Sequence, residues 1–151
     1  MASQRNEAMN KAGNRQRTYA PNTVSRAEFV DSVAAMAGEV WDFHDRFGVG
    51  SGQFAGQTPT EIVSDRKKIL DEEVAELAQA LSDGEGDESV AGETADVLFV
   101  AMGHVEAMGR AGIEGVHRIT SKNAAKTNQS HAIRPDTGKL LPVEGKPHKW
   151  Q

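Results

Sequence analysis

Apolar residues recur at helical spacing through most of residues 29–126, and only short glycine-bearing breaks separate the runs. This periodicity constrains the fold more than any other feature, because a stripe repeating at steps of three, four and seven forms a single face only on a helix. Phe29, Val33, Met36, Ala37, Val40 and Phe47 make the first stripe. Ahead of it, Ser25-Arg26-Ala27-Glu28 fits a capping box, in which hydroxyl and carboxylate satisfy orphan backbone N–H groups reciprocally. Gly48, Gly50, Gly52 and Gly56 predict that this helix gives way to a loose loop.

Thr58-Pro59-Thr60-Glu61 is a second start signal: a hydroxyl N-cap, a proline at the first helical position and a capping glutamate. The helix it opens is predicted to reach Ser82, where Asp83-Gly84-Glu85-Gly86-Asp87 forms a turn. A third helix is predicted to end near Gly109. Its centre, Val97-Leu98-Phe99-Val100-Ala101-Met102, is apolar all round, which predicts burial on most faces. A shorter fourth helix is expected over Ile113 to Lys126. Helices joined by short loops imply an all-α, four-helix-bundle-like fold. An aromatic content of 5% agrees, since β-sandwiches draw on more aromatic and β-branched residues.

Outside this domain, placed at residues 25–127, the pattern fails. Residues 1–24 are polar, carry Arg5, Lys11, Arg15 and Arg17, and read as a flexible basic arm. Pro135, Gly138, Pro142, Gly145 and Pro147 make residues 128–151 a tail or lid segment. There is no cysteine, so disulfides and thiolate–metal sites are excluded. Neither a secretory h-region nor a run of roughly 18 apolar residues occurs, which points to a cytoplasmic protein without a membrane span. The net charge of −5 gives no reason to expect a nucleic-acid polymer as partner.

The negative charge is concentrated. Glu72, Glu73 and Glu76 fall within an arc of about 100° on an ideal helix, flanking Ile69, Leu70, Val74, Leu77 and Leu81. Glu93 and Asp96, one turn apart, stand directly before the most apolar stretch of the chain. Carboxylates in such surroundings need a cation or hydrogen-bonding partners. Taken alone, the first trio reads as a solvated helix face, and Asp96 as a core acid held by Arg or Lys. Together, on consecutive helices joined by a short turn, up to five carboxylates converge, and an all-oxygen set without Cys or His suits Mg²⁺, or Mn²⁺ in its place. A di-iron carboxylate bundle needs two Glu-x-x-His pairs, and Glu114-Gly115-Val116-His117 is the one instance. No Gly-x-x-x-x-Gly-Lys-Ser/Thr loop is present, so a P-loop enzyme is excluded.

Glu72-Glu73-Val74-Ala75-Glu76 followed by Glu93-Thr94-Ala95-Asp96 resembles the paired EExxE and ExxD motifs of MazG-like all-α nucleotide pyrophosphohydrolases. Arg66-Lys67-Lys68-Ile69-Leu70, Val97-Leu98-Phe99, His117-Arg118, Ser121-Lys122-Asn123 and Phe43-His44-Asp45-Arg46-Phe47-Gly48 extend the similarity, as does Gly138-Lys139-Leu140-Leu141. The resemblance covers residues 28–142. It implies Mg²⁺-dependent cleavage of nucleoside triphosphates between the α- and β-phosphates, and a homodimer or dimer of dimers. Glu73, Glu76, Glu93 and Asp96 would hold the metal, and Glu72, or Glu73 itself, would serve the attacking water. Lys122, Asn123 and Lys126 either neutralise the leaving pyrophosphate or simply cap a solvated helix end. Trp41, Phe43, His44 and Phe47 read as core or as a base-stacking set, and His104 and His117 as structural. House-cleaning of the nucleotide pool, with dUTP as one candidate substrate, is the leading expectation. Phosphoribosyl-ATP hydrolysis and a non-catalytic helical protein with an acidic docking face stand as alternatives.

Overall fold

The structure, a computed structural model, describes residues 17–19, 22–49, 52 and 54–143. Four helices account for most of them: α1 (Arg26–Arg46), α2 (Pro59–Ser82), α3 (Asp87–Ala107) and α4 (Arg110–Ala124). The fold is all-α. Two antiparallel hairpins of three-residue strands accompany it, β1 (Arg17–Tyr19) with β2 (Asn22–Val24), and β3 (His131–Ile133) with β4 (Leu140–Pro142). The chain forms two compact units, residues 1–109 and residues 110–151.

Both capping boxes form. Ser25 Oγ accepts from the Glu28 N–H at 3.1 Å while Glu28 accepts from the Ser25 N–H at 3.3 Å. Thr58 Oγ1 accepts from the Glu61 N–H at 3.3 Å, and Glu61 Oε2 accepts from the Thr58 N–H at 2.7 Å. The Thr58 N–H bond first, and then the Thr58 hydroxyl, which donates to the same carboxylate oxygen at 2.9 Å, hold the Glu61 carboxyl below the ordinary glutamate range. Helix α3 has no side-chain cap after Gly86; Asp87 and Glu88 in its first turn face the positive end of its dipole instead.

In the first unit α2 packs along α3, and α1 packs against α3. Only residues 83–86 separate α2 from α3, so the two run antiparallel. The turn is made by Gly84, whose φ of +67° is strained for other residues. Val40, Ile62 and Ala80 are the fully buried apolar residues among those described. The Phe43 ring meets Phe99 edge-on at 5.6 Å, joining α1 to α3.

Several expectations change here. Trp41 and Phe47 are not core residues: they are 64% and 65% exposed. They flank the face of α1 that carries Val40 and His44 inward. The Val97–Met102 run is half-buried, with Leu98 exposed, because α1 and α2 cover only part of the circumference of α3. The last part of the residues read as a flexible arm pairs as β1–β2, and residues 1–16 lie outside the described residues.

In the second unit α4 begins at Arg110, immediately after Gly109 ends the preceding turn with a φ of +57°, and stops at Ala124 rather than Lys126. The described residues after it, 125–143, are not helical, as Pro135, Gly138 and Pro142 require, and they carry β3–β4. His131 pairs with Pro142 and Ile133 with Leu140. The connecting loop is closed by Arg134 N–H to the Lys139 carbonyl at 2.8 Å and by an Arg134–Asp136 ion pair.

Candidate metal centre

Antiparallel packing brings α2 and α3 carboxylates together. Glu73, Glu76 and Glu93 each offer an oxygen, and these atoms lie within 4.8 Å of one another. Glu73 and Glu76 are one turn apart on α2, so both reach the same side, and Glu93 meets them from the second turn of α3. Glu73 and Glu93 are half-buried and Glu76 is exposed.

Glu72 and Asp96 flank this trio rather than complete it. Both side chains are exposed, yet both are near enough to act on Glu73. Burial raises the Glu73 carboxyl above the ordinary glutamate value, and the charges of Glu76, Asp96, Glu93 and Glu72 raise it further, in that order. Two cations on α2, Lys67 and Arg66, are engaged elsewhere. Lys67 bonds Asp71 at 2.7 Å, and Arg66 turns to His44 at 3.3 Å.

The donor set fits a hard divalent cation. At the metal–oxygen distance of about 2.0–2.1 Å that Mg²⁺ demands, ligands on opposite sides of the ion stand about 4.2 Å apart. Oxygens within 4.8 Å therefore need only slight closure. A cation there would relieve the repulsion that raises Glu73.

Lys122, Asn123 and Lys126 belong to the second unit. Lys122 and Asn123 lie in the last turn of α4, and Lys126 Nζ donates to Asn123 Oδ1 at 2.7 Å. Sequence reasoning passed over Gly103 and Glu106 entirely, although a glycine and a glutamate ending a long apolar run are both signals of an unusual contact. His44, read as core or as a stacking residue, is buried at 4% exposure and holds polar partners.

Residues 40–113 match the family model described as phosphoribosyl-ATP pyrophosphohydrolase. The match runs from Val40 in α1 to Ile113 in α4 and includes all five carboxylates; Lys122, Asn123 and Lys126 lie beyond it. No curated protein and no solved structure matches the chain.

Proposed function

The chain belongs to the MazG-like and phosphoribosyl-ATP pyrophosphohydrolase superfamily, and from that premise we propose that it hydrolyses nucleoside triphosphates between the α- and β-phosphates. Pyrophosphohydrolysis of a nucleotide is the family's chemistry. The triphosphate substrate, the cation and the residue roles are our reading. One observation carries it: Glu73, Glu76 and Glu93 gather their oxygens within 4.8 Å on two packed helices.

Glu73, Glu76 and Glu93, with Asp96 at their edge, would hold Mg²⁺, or Mn²⁺ in its place. When bound, the cation supplies charge neutralisation for the phosphate oxygens as the α-phosphorus is attacked. The chain's own residues orient the water. Its oxygen forms the new bond to the α-phosphorus, the bond from that phosphorus to the α,β-bridging oxygen breaks, and pyrophosphate leaves. Glu72, exposed beside the trio, takes the proton from the water, with Glu73 the other candidate. Lys122 and Lys126, with Asn123 beside them, are assigned to the leaving pyrophosphate on the strength of their charge alone.

The protein acts as a homodimer or dimer of dimers in this reading. Phe29, Trp41, Phe47 and Leu81 are each more than 60% exposed, while three apolar residues among those described are fully buried. That much exposed apolar surface is what a self-associating chain presents. No described helix is long and apolar enough to cross a membrane, and we place the activity in the cytoplasmic nucleotide pool, with dUTP among its candidate substrates. The family model's own description supports a second reading, in which the substrate is phosphoribosyl-ATP.

The deciding experiment is pyrophosphate release from canonical and modified nucleoside triphosphates and from phosphoribosyl-ATP, with Mg²⁺ or EDTA, for wild type and Glu73→Gln. Release from triphosphates that needs the cation and is lost in the variant is the expected result. Release from phosphoribosyl-ATP alone selects the second reading. No release from any substrate by a folded protein removes both. Sedimentation of the same preparation tests the oligomer, and a monomer at micromolar concentration would reject it.

A further inference from the structure

Along the α2–α3 seam from the carboxylates lies a second polar cluster, which the proposed reaction does not use. His44 Nδ1–H donates to the Glu106 carboxylate, which is also mostly buried. Arg66 Nη2 donates to His44 Nε2 at 3.3 Å. A guanidinium has no acceptor, so the roles of the two imidazole nitrogens follow from their partners. Three helices thereby meet in one contact: α1 through His44, α2 through Arg66 and α3 through Glu106.

The cluster closes over Gly103. A Cβ there would lie 3.1 Å from Arg66 Nη2 and 3.1 Å from both Cε1 and Nε2 of His44, so only glycine admits these groups without displacement. Arg66 is further confined by the Phe54 ring, 5.9 Å from its guanidinium carbon. Its Nε is buried without a hydrogen-bond partner. Burial lowers the Arg66 pKa, and the charge of Glu106 offsets part of that effect.

Such a cluster is a poor source of net stability, since well-packed apolar groups of the same volume usually serve as well. What it does provide is registry. Arg66 precedes Glu76 by ten residues on α2, and Gly103 follows Glu93 by ten residues on α3. The polar cluster and the carboxylates are therefore two rungs of one antiparallel seam, about 15 Å apart. A slip of α2 by one residue moves its side chains about 1.5 Å and turns them about 100°. It would strand Arg66 and His44 in the interior and part Glu73 and Glu76 from Glu93.

We infer that Glu106, His44 and Arg66, seated on Gly103, are positioning residues that fix α2 against α3 and so set the spacing of the Glu73–Glu76–Glu93 oxygens. The inference rests on the reading of that trio as a divalent-cation site.

The test is Mn²⁺ binding to the full-length, nucleotide-free protein, titrated by the paramagnetic resonance of free Mn²⁺. Glu106→Ala removes the acceptor for His44, whereas Glu106→Gln keeps an oxygen in its place. Ile62→Val truncates the core of α2 one turn before Arg66 without removing a polar group, and so controls for general loosening of the packing. Glu106→Ala is expected to weaken Mn²⁺ binding about three- to tenfold, with Glu106→Gln and Ile62→Val within about twofold of wild type. Should Glu106→Ala fail to fold, Arg66→Met carries the same expectation. Unchanged affinity in the folded variant, or an equal loss in Ile62→Val, overturns the positioning role and leaves the cation site standing. Wild type and Glu73→Gln binding Mn²⁺ equally poorly would remove the cation site and the inference with it.

Discussion

Gly103 and His44 approach so closely that a Cβ on the glycine would stand 3.1 Å from the imidazole Nε2. Gly92, on the same helix, has nothing within 4 Å of that position. The two sites should therefore answer the same substitution with opposite signs. Alanine at an open helical position gains about 0.5–1 kcal/mol over glycine. At Gly103 that gain is outweighed by overpacking, which costs about 1–3 kcal/mol, because His44 is buried and tied to Glu106 and Arg66. Urea unfolding of Gly92→Ala and Gly103→Ala checks this. A stabilised Gly103→Ala would mean that the three-helix contact yields easily.

Glu73 makes the stability of the metal-free protein depend on pH. Its carboxyl is raised above 4.5 by burial and by Glu76, Asp96, Glu93 and Glu72. Between the unfolded value and the raised folded value, the native state holds more protons than the unfolded state. The Glu73 contribution to stability is therefore greatest on the acid side of that window and is lost as pH rises through the folded value. In EDTA at neutral pH, Glu73→Gln should be more stable than wild type, and the difference should shrink toward pH about 4. Saturating Mg²⁺ should reverse the order. A difference that ignores pH would show that the carboxylates are too far apart, or too well solvated, to repel one another.

How much of this could be read from the chain follows from the range of each interaction. Ser25 and Thr58 announce helix starts through bonds made within four residues, Pro59 through its fixed φ, and both capping boxes form as the sequence requires. The convergence of Glu73, Glu76 and Glu93 needs one further step, the short turn at Gly84 that makes α2 and α3 antiparallel. The His44–Glu106 contact joins residues 62 positions apart on helices that are not consecutive, and no local pattern encodes that pairing. Exposure of Trp41 and Phe47 was hidden for a different reason. Periodicity locates the apolar face of α1 but not the width of surface its neighbours cover. The hairpins escaped because three-residue strands are too short to show alternation.

Capping at Thr58 offers a test of how α2, which carries three of the five acids, is anchored. Thr58→Ala removes the oxygen that receives the Glu61 N–H and should cost about 1 kcal/mol. Glu61, lowered by its Thr58 bonds, contributes stability above the unfolded glutamate value that is lost as pH falls through the folded one. The Thr58→Ala penalty in urea should accordingly shrink in acid, the opposite trend to that of Glu73. A penalty equal at both pH values would show that the Thr58 hydroxyl does not donate to the Glu61 carboxylate, since the backbone N–H bond survives in the variant.

Magnesium should act on the folded state alone, because the unfolded chain cannot gather Glu73 and Glu93 from separate helices. Binding of that kind stabilises by about 2.7 kcal/mol at a free cation concentration of 100 Kd, so the melting temperature should climb with Mg²⁺ and level off only slowly. Glu93→Gln removes one of the three clustered negative charges and should abolish most of the shift. Asp96→Asn should reduce it less, since Asp96 influences Glu73 from outside the trio. Without the cation, both variants should melt above wild type, because each removes a charge that the others repel. A non-catalytic acidic docking face shares that last expectation but not the first. If Mg²⁺ leaves the melting temperature of wild type where it was, while both variants are stabilised, the five carboxylates are a surface for a basic partner and not a metal centre.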